Sequence, residues 1–141
     1  MPTPSSDGES PAVMFTSDRT FRVWRYGIGH SQLLLRAVPD SMDTACLDLL
    51  FEGVSAMQLV QQYKSIEVCS ASEVEAEEIL GFSGAEPPVR ELLLPVVLRS
   101  TSGSGFVLCR SVTALRGGED PVGSDSDSED RSVVWSSRPQ T

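Results

Sequence analysis

"TFRVWRYGIGHSQLLLRAV", residues 20–38, decides how the chain is read. Its first seven residues are aromatic, β-branched or arginine, a composition that favours a strand over a helix. Alternation puts Phe21 and Val23 on one face and Arg22, Trp24 and Tyr26 on the other. Gly27-Ile-Gly29 breaks the run, and Gln32 to Val38 resumes as a second strand that Pro39-Asp40 stops. Two strands around a glycine-rich corner form an antiparallel hairpin.

The same pattern recurs downstream. Cys46 to Phe51 predicts a third strand, with Leu47, Leu49 and Phe51 on one side and Asp48 and Glu52 across from them. Gly53 punctuates, and Val54 to Val60 extends the sheet after a bulge or bend. Ser65 to Cys69 is a short fifth strand with Ile66 and Val68 facing inward. Leu92 to Arg99 and Phe106 to Leu115 flank Ser100-Thr-Ser-Gly-Ser-Gly105 as a further hairpin. The helical signal is Ser72-Glu-Val-Glu75, a capping box in which serine and glutamate satisfy each other's free backbone amides. From it a helix is expected over Glu73 to Leu80, stopped by Gly81 and docked through Val74, Ile79 and Leu80.

These elements predict a mainly β fold, an antiparallel meander of six to seven strands with one short α-helix. The connections are too short for parallel crossovers. Whether the sheet stays curved and open or forms a partly open barrel is left undecided by the pattern. The apolar parities give a core of Phe21, Val23, Leu33, Leu35, Leu47, Leu49, Phe51, Ile66, Val68, Phe106 and Leu108.

Composition sets the frame. A chain of 141 residues is one domain at most, since domains commonly occupy roughly 100–150 residues. Polar, low-complexity stretches predict a disordered segment over 1–18, a globular unit over 19–116, an acidic disordered segment over 117–132 and a tail over 133–141. The net charge is -9, and six acidic groups with no basic residue among them lie within 117–130. Nucleic acid is therefore not an expected partner, because a phosphate backbone needs a clustered positive footprint. Ten of the eleven basic residues are arginine, the bias of a GC-rich bacterial coding sequence. The apolar runs are too short for a membrane span, and no signal peptide is visible at the start of the sequence. Cys46, Cys69 and Cys109, far apart among apolar neighbours, read as reduced and buried, and a cytoplasmic location is expected.

The candidate sites are few. His30 is the one histidine, and its neighbour Ser31 points to the opposite face of a strand, so the two do not make a nucleophile and base. His30 is read as a corner residue, with a catalytic role kept as the minor alternative. The cysteines lack the close C-x-x-C pairs of a zinc site. Asp125 to Asp130 lacks the sixth-position glycine of a calcium loop, and Ser136 stands where the closing glutamate belongs. No cofactor or metal is expected. Arg22, Trp24 and Tyr26 remain as an interaction face, since aromatic residues with arginine make binding hot spots.

Residues 21–59 resemble a set of small bacterial proteins without an established activity. The resemblance rests on Phe21-Arg-Val-Trp-Arg-Tyr26, His30-Ser-Gln-Leu-Leu-Leu-Arg36, Asp48-Leu-Leu-Phe51 with Gly53-Val54, and Leu59. Gly105-Phe-Val-Leu-Cys109 is similar to their later part. The overlap excludes the first 18 residues and the acidic insertion, and it implies no cofactor or catalytic residue. The expected function is thus a non-catalytic cytoplasmic protein-interaction domain with an unidentified protein partner, in one version an immunity-type inhibitor of a basic toxin. The alternative is a small-ligand binder or hydrolase using a cavity near His30, with Asp48 or Glu52 at its mouth. Oligomeric state is not predicted.

Overall fold

The computed structural model describes residues 12–27, 29, 31–117 and 132–139. Its eleven strands, counted among these residues, are β1 (Ala12–Thr16), β2 (Thr20–Gly27), β3 (Gln32–Ala37), β4 (Cys46–Glu52), β5 (Ala56–Gln58) and β6 (Gln62–Lys64), then β7 (Glu67–Ser70), β8 (Leu94–Arg99), β9 (Ser104–Cys109), β10 (Ser111–Gly117) and β11 (Ser132–Ser137). A single α-helix, α1 (Glu73–Ser83), and one 3-10 turn (Val89–Leu92) complete the described elements. The fold is mainly β, antiparallel throughout, with no closed barrel.

The strands divide between two sheets, in the orders β1-β7-β8-β9-β5 and β11-β10-β4-β3-β2-β6. The architecture is therefore layered rather than a single meander. The chain crosses between the sheets five times, between β1 and β2, β4 and β5, β5 and β6, β6 and β7, and β9 and β10. Gly53 turns the chain between β4 and β5 with a left-handed φ of 65°, and Arg110 turns it between β9 and β10, its N–H bonding the Glu52 carbonyl at 2.8 Å. The two corners lie together, so a Cβ on Gly53 would come within 2.7 Å of the Arg110 side chain. The run expected as one strand over Phe106 to Leu115 is thus two strands in different layers. Only the polar pair Arg110-Ser111 marks the corner in the sequence.

Between the sheets lies the main core. Phe21, Leu33, Leu35, Leu49 and Phe51 from one sheet meet Val68, Val96, Leu98 and Val107 from the other, all fully buried. Most of the expected core is therefore inside. Phe106 is only partly buried, on the helix side of its sheet, and Val23 is 37% exposed. The latter pairs with Leu35, but β6 covers β2 only as far as Arg22, so Val23 sits at the sheet margin. Tyr63 crosses the core and its hydroxyl accepts the Val60 N–H at 3.1 Å. Gly105 allows that passage: a Cβ there would collide with the Gln58 carbonyl oxygen and the Tyr63 hydroxyl.

Helix α1 packs on the far face of the first sheet, where Ile79 joins Cys69, Leu93, Val97 and Leu108 in a second cluster. Its start has the expected capping box, Glu75 N–H to Ser72 Oγ at 3.2 Å and Ser72 N–H to Glu75 Oε1 at 3.0 Å. It runs one turn past the expected end, because Gly84 rather than Gly81 takes the left-handed cap. Val74 is 61% exposed, so Ile79 and Leu80 carry the docking.

The folded unit extends beyond 19–116 at both ends. β1 pairs with β7 and β11 with β10, and Phe15 stacks on Trp135 with ring centroids 5.7 Å apart. Short apolar runs, Val13-Met14-Phe15 and Val133-Val134-Trp135, form these strands. Their polar flanks concealed them. The expected disorder over 1–11 and 118–131 concerns positions outside the described residues.

Candidate functional site

The site begins with an irregularity in β2. Arg22 pairs with Arg36 and Val23 with Leu35, but Arg25 then pairs with Leu34, so Trp24 is an extra residue in a β-bulge. Directly opposed residues share a face. Arg22 and Arg25 accordingly lie on the outer face of the sheet, while Tyr26, opposite Leu33, has the core-side parity. Trp24 packs outside against the Leu34, Leu50 and Leu115 cluster. The expected Arg22, Trp24, Tyr26 face is therefore split by the bulge: the first two residues stay together and Tyr26 leaves them.

Arg36 continues the outer face. Its Nε donates to Asp48 Oδ1 at 2.8 Å and its Nη2 to Oδ2 at 2.9 Å, with both residues fully buried. A Trp24 ring lies 5.3 Å from the guanidinium carbon, within cation–π range. The parallel fork and the overlying ring hold Arg36 in one orientation. Asp48, set by the sequence pattern across from the apolar side of β4, is buried with this partner directly opposite it.

Arg19 fixes the adjoining loop. Its Nη2 donates to the carbonyls of Ala37, Val38 and Ala45 at 3.2, 2.7 and 2.9 Å, and its Nη1 to Asp43 at 3.1 Å. Asp43 also accepts from Arg116 at 2.7 Å and from the Ala45 N–H at 3.0 Å. Those groups, the Ala45 amide foremost, hold its carboxyl below the ordinary 3.8 although partial burial opposes them.

Together these residues line a hollow of about 390 Å³ at the junction of β2, β3 and β6. Arg19, Arg22, Arg36 and Lys64 surround it, and Asp40 is the one acid in its lining. Arg19 and Arg36 are held by carboxylates behind the surface. Arg22 and Lys64 are exposed, and neither charged group makes a hydrogen bond or ion pair among the described residues. The two exposed cations, Arg22 and Lys64, can therefore receive an oxyanion, with Arg19 and Arg36 buried beneath them. Among the described residues no histidine or cysteine lines the hollow. Lys64 and Arg19 escaped the sequence reading, since 61–64 carried no strand signal and Arg19 fell in the segment ahead of β2.

The other candidates are dispersed. His30 lies outside the described residues. Ser31 has a left-handed φ of 51°, and its carbonyl accepts the Val54 N–H at 2.9 Å, a structural task at the corner. Glu52 accepts from Gln32 at 3.3 Å and Ser111 at 3.5 Å, and neither it nor Asp48 lines a described cavity. None of the three buried cysteines is in a disulfide. Burial pushes the Cys69 thiol up and the Cys109 thiol up to about 12. Among the described residues no acidic, cysteine or histidine cluster could hold a metal, and no helix is long and apolar enough to cross a membrane.

Fold and site together define an antiparallel two-sheet β protein with a cationic hollow on its outer surface. No family model matches the chain, and no curated protein or solved structure matches it significantly.

Proposed function

We propose that the chain is a non-catalytic protein-interaction domain that grips acidic side chains of a protein partner at Arg22 and Lys64. The observation that carries this reading is the pair of uncompensated cations beside a locked Arg36–Trp24 stack. Arg36 and Trp24 fix the surface beside them, so the ordering cost on arrival of a carboxylate is confined to the Arg22 and Lys64 side chains. The small positive area is also distinct from a nucleic-acid stripe, which a net charge of -9 would oppose. The three buried cysteines without disulfides support a reducing, cytoplasmic location. An immunity-type neutraliser of a basic toxin would need a contact surface of the opposite sign, so an acidic partner fits this hollow better.

The test is affinity capture from the native cell with the parent chain and with an Arg22→Glu, Lys64→Glu variant. Both positions are exposed, and the fold should change by no more than about 0.5 kcal/mol. A partner held by the parent and released by the variant supports the reading, as does weakening of the complex with rising salt. A partner retained equally by both chains overturns it.

A further inference from the structure

A second cavity, remote from the arginine hollow, lies where α1 splays away from β8 and β9. Its volume is about 440 Å³, within the range of small-molecule sites. Ile79, Val97 and Phe106 make an apolar floor. Phe82 forms the lip: it is 66% exposed, yet its ring meets Phe106 edge to face at 5.5 Å and 82°.

Charges of both signs converge on the same space. Arg99, the last residue of β8, lines it, and its guanidinium has no hydrogen bond or ion pair among the described residues. Glu75 and Glu78 line the helix side. Glu75 is already engaged in the capping box, whereas Glu78 makes no such bond. A guanidinium on the sheet side and a carboxylate on the helix side, with aromatic surface between them, is complementary to a small zwitterion with an apolar body.

We propose that this cavity binds a free aromatic or large aliphatic α-amino acid, its carboxylate on Arg99, its ammonium on Glu78 and its side chain against Phe82 and Phe106. The proposal is independent of the interaction surface on the other sheet. A neutral apolar ligand would leave Arg99 and Glu78 without partners, and a dianion would be repelled by the helix carboxylates.

Calorimetric titration of the full chain with L-phenylalanine tests it, with phenylacetate and phenethylamine as probes lacking one charge each. Saturable one-site binding of phenylalanine is expected, with each single-charge analogue weaker by about tenfold or more. Arg99→Gln should abolish binding of phenylalanine and phenylacetate. Glu78→Gln should weaken phenylalanine while leaving phenylacetate unchanged or tighter. Circular dichroism of each variant confirms that the fold persists, and amide shifts confined to α1, β8 and β9 locate the ligand. Absence of saturable phenylalanine binding, binding that Arg99→Gln leaves intact, or shifts mapping elsewhere would overturn the proposal.

Discussion

Arg36 and Asp48 face each other across β3 and β4 and share two parallel hydrogen bonds, of 2.8 and 2.9 Å, where neither side chain meets solvent. Removing one partner strands the other charge in a low-dielectric site, which typically costs about 3–5 kcal/mol. Asp48→Ala should therefore lower the urea-unfolding free energy by that amount. The double change Arg36→Met, Asp48→Leu should cost less than Asp48→Ala alone. The opposite ordering would mean that the pair supplies net stability beyond compensating its own desolvation.

Two glycines should respond to alanine with opposite signs. At Gly105 a methyl group meets the Gln58 carbonyl and the Tyr63 hydroxyl, so Gly105→Ala should destabilise by about 1–3 kcal/mol through overpacking. At Gly81 nothing lies within 4 Å and the residue is inside α1. Gly81→Ala should stabilise the protein by up to about 1 kcal/mol. Thermal and urea midpoints measure both.

These two positions also show what the sequence could and could not disclose. Gly81 resembles a helix stop, but Gly84 supplies the cap, and both choices are consistent with local chemistry. Strands β2, β3 and β4 were legible because short runs rich in aromatic, β-branched or leucine residues are bounded by glycine, proline and aspartate. The division into two sheets was not legible. Residues 106–115 turn a corner that only the polar pair Arg110-Ser111 marks, too short a signal to separate two strands. Partnership was equally hidden: the pattern set Asp48 across from the apolar side of its strand, and only register brings Arg36 beside it. The Trp24 bulge reversed the parity of Tyr26, a change that no period-two reading anticipates. Of the candidate site, Arg22 and Trp24 were visible in one strand, while Arg19 and Lys64 join them only through folding.

Asp43 should make acid sensitivity measurable. Its native carboxyl titrates below the ordinary 3.8, chiefly through the Ala45 amide and then through Arg116 and Arg19. The unfolded chain then binds a proton before the native chain does. The stability from Asp43 is fully present above 3.8 and is lost as pH falls through the depressed native value. Asp43→Asn should be less stable than the parent at neutral pH. That difference should shrink as the solution is acidified below the ordinary aspartate range, and a gap that stays constant would contradict the assignment.

Cys109 should be chemically silent while the protein is folded. Burial raises its thiol to about 12, so almost none is thiolate at pH 8, and the thiolate is the reactive form. Cys46 and Cys69 are equally inaccessible. Labelling with a thiol reagent should therefore follow the unfolding curve in urea. Rapid labelling of Cys109 under native conditions would show that the β9 layer opens locally.

The stacking of Phe15 on Trp135 bears on how the protein is made. It joins the first and last strands at one margin of the two layers, across roughly 120 positions of sequence, a contact of very long loop closure. Growth of the chain from the ribosome thus presents β1 long before its stacking partner exists. Until residues 132–137 have been synthesised, the edge of the layer ending in β10 stays uncovered, with an unpaired row of amides and carbonyls exposed to other nascent chains. Truncation ahead of β11 should accordingly favour aggregation during expression even where the remaining strands can still assemble.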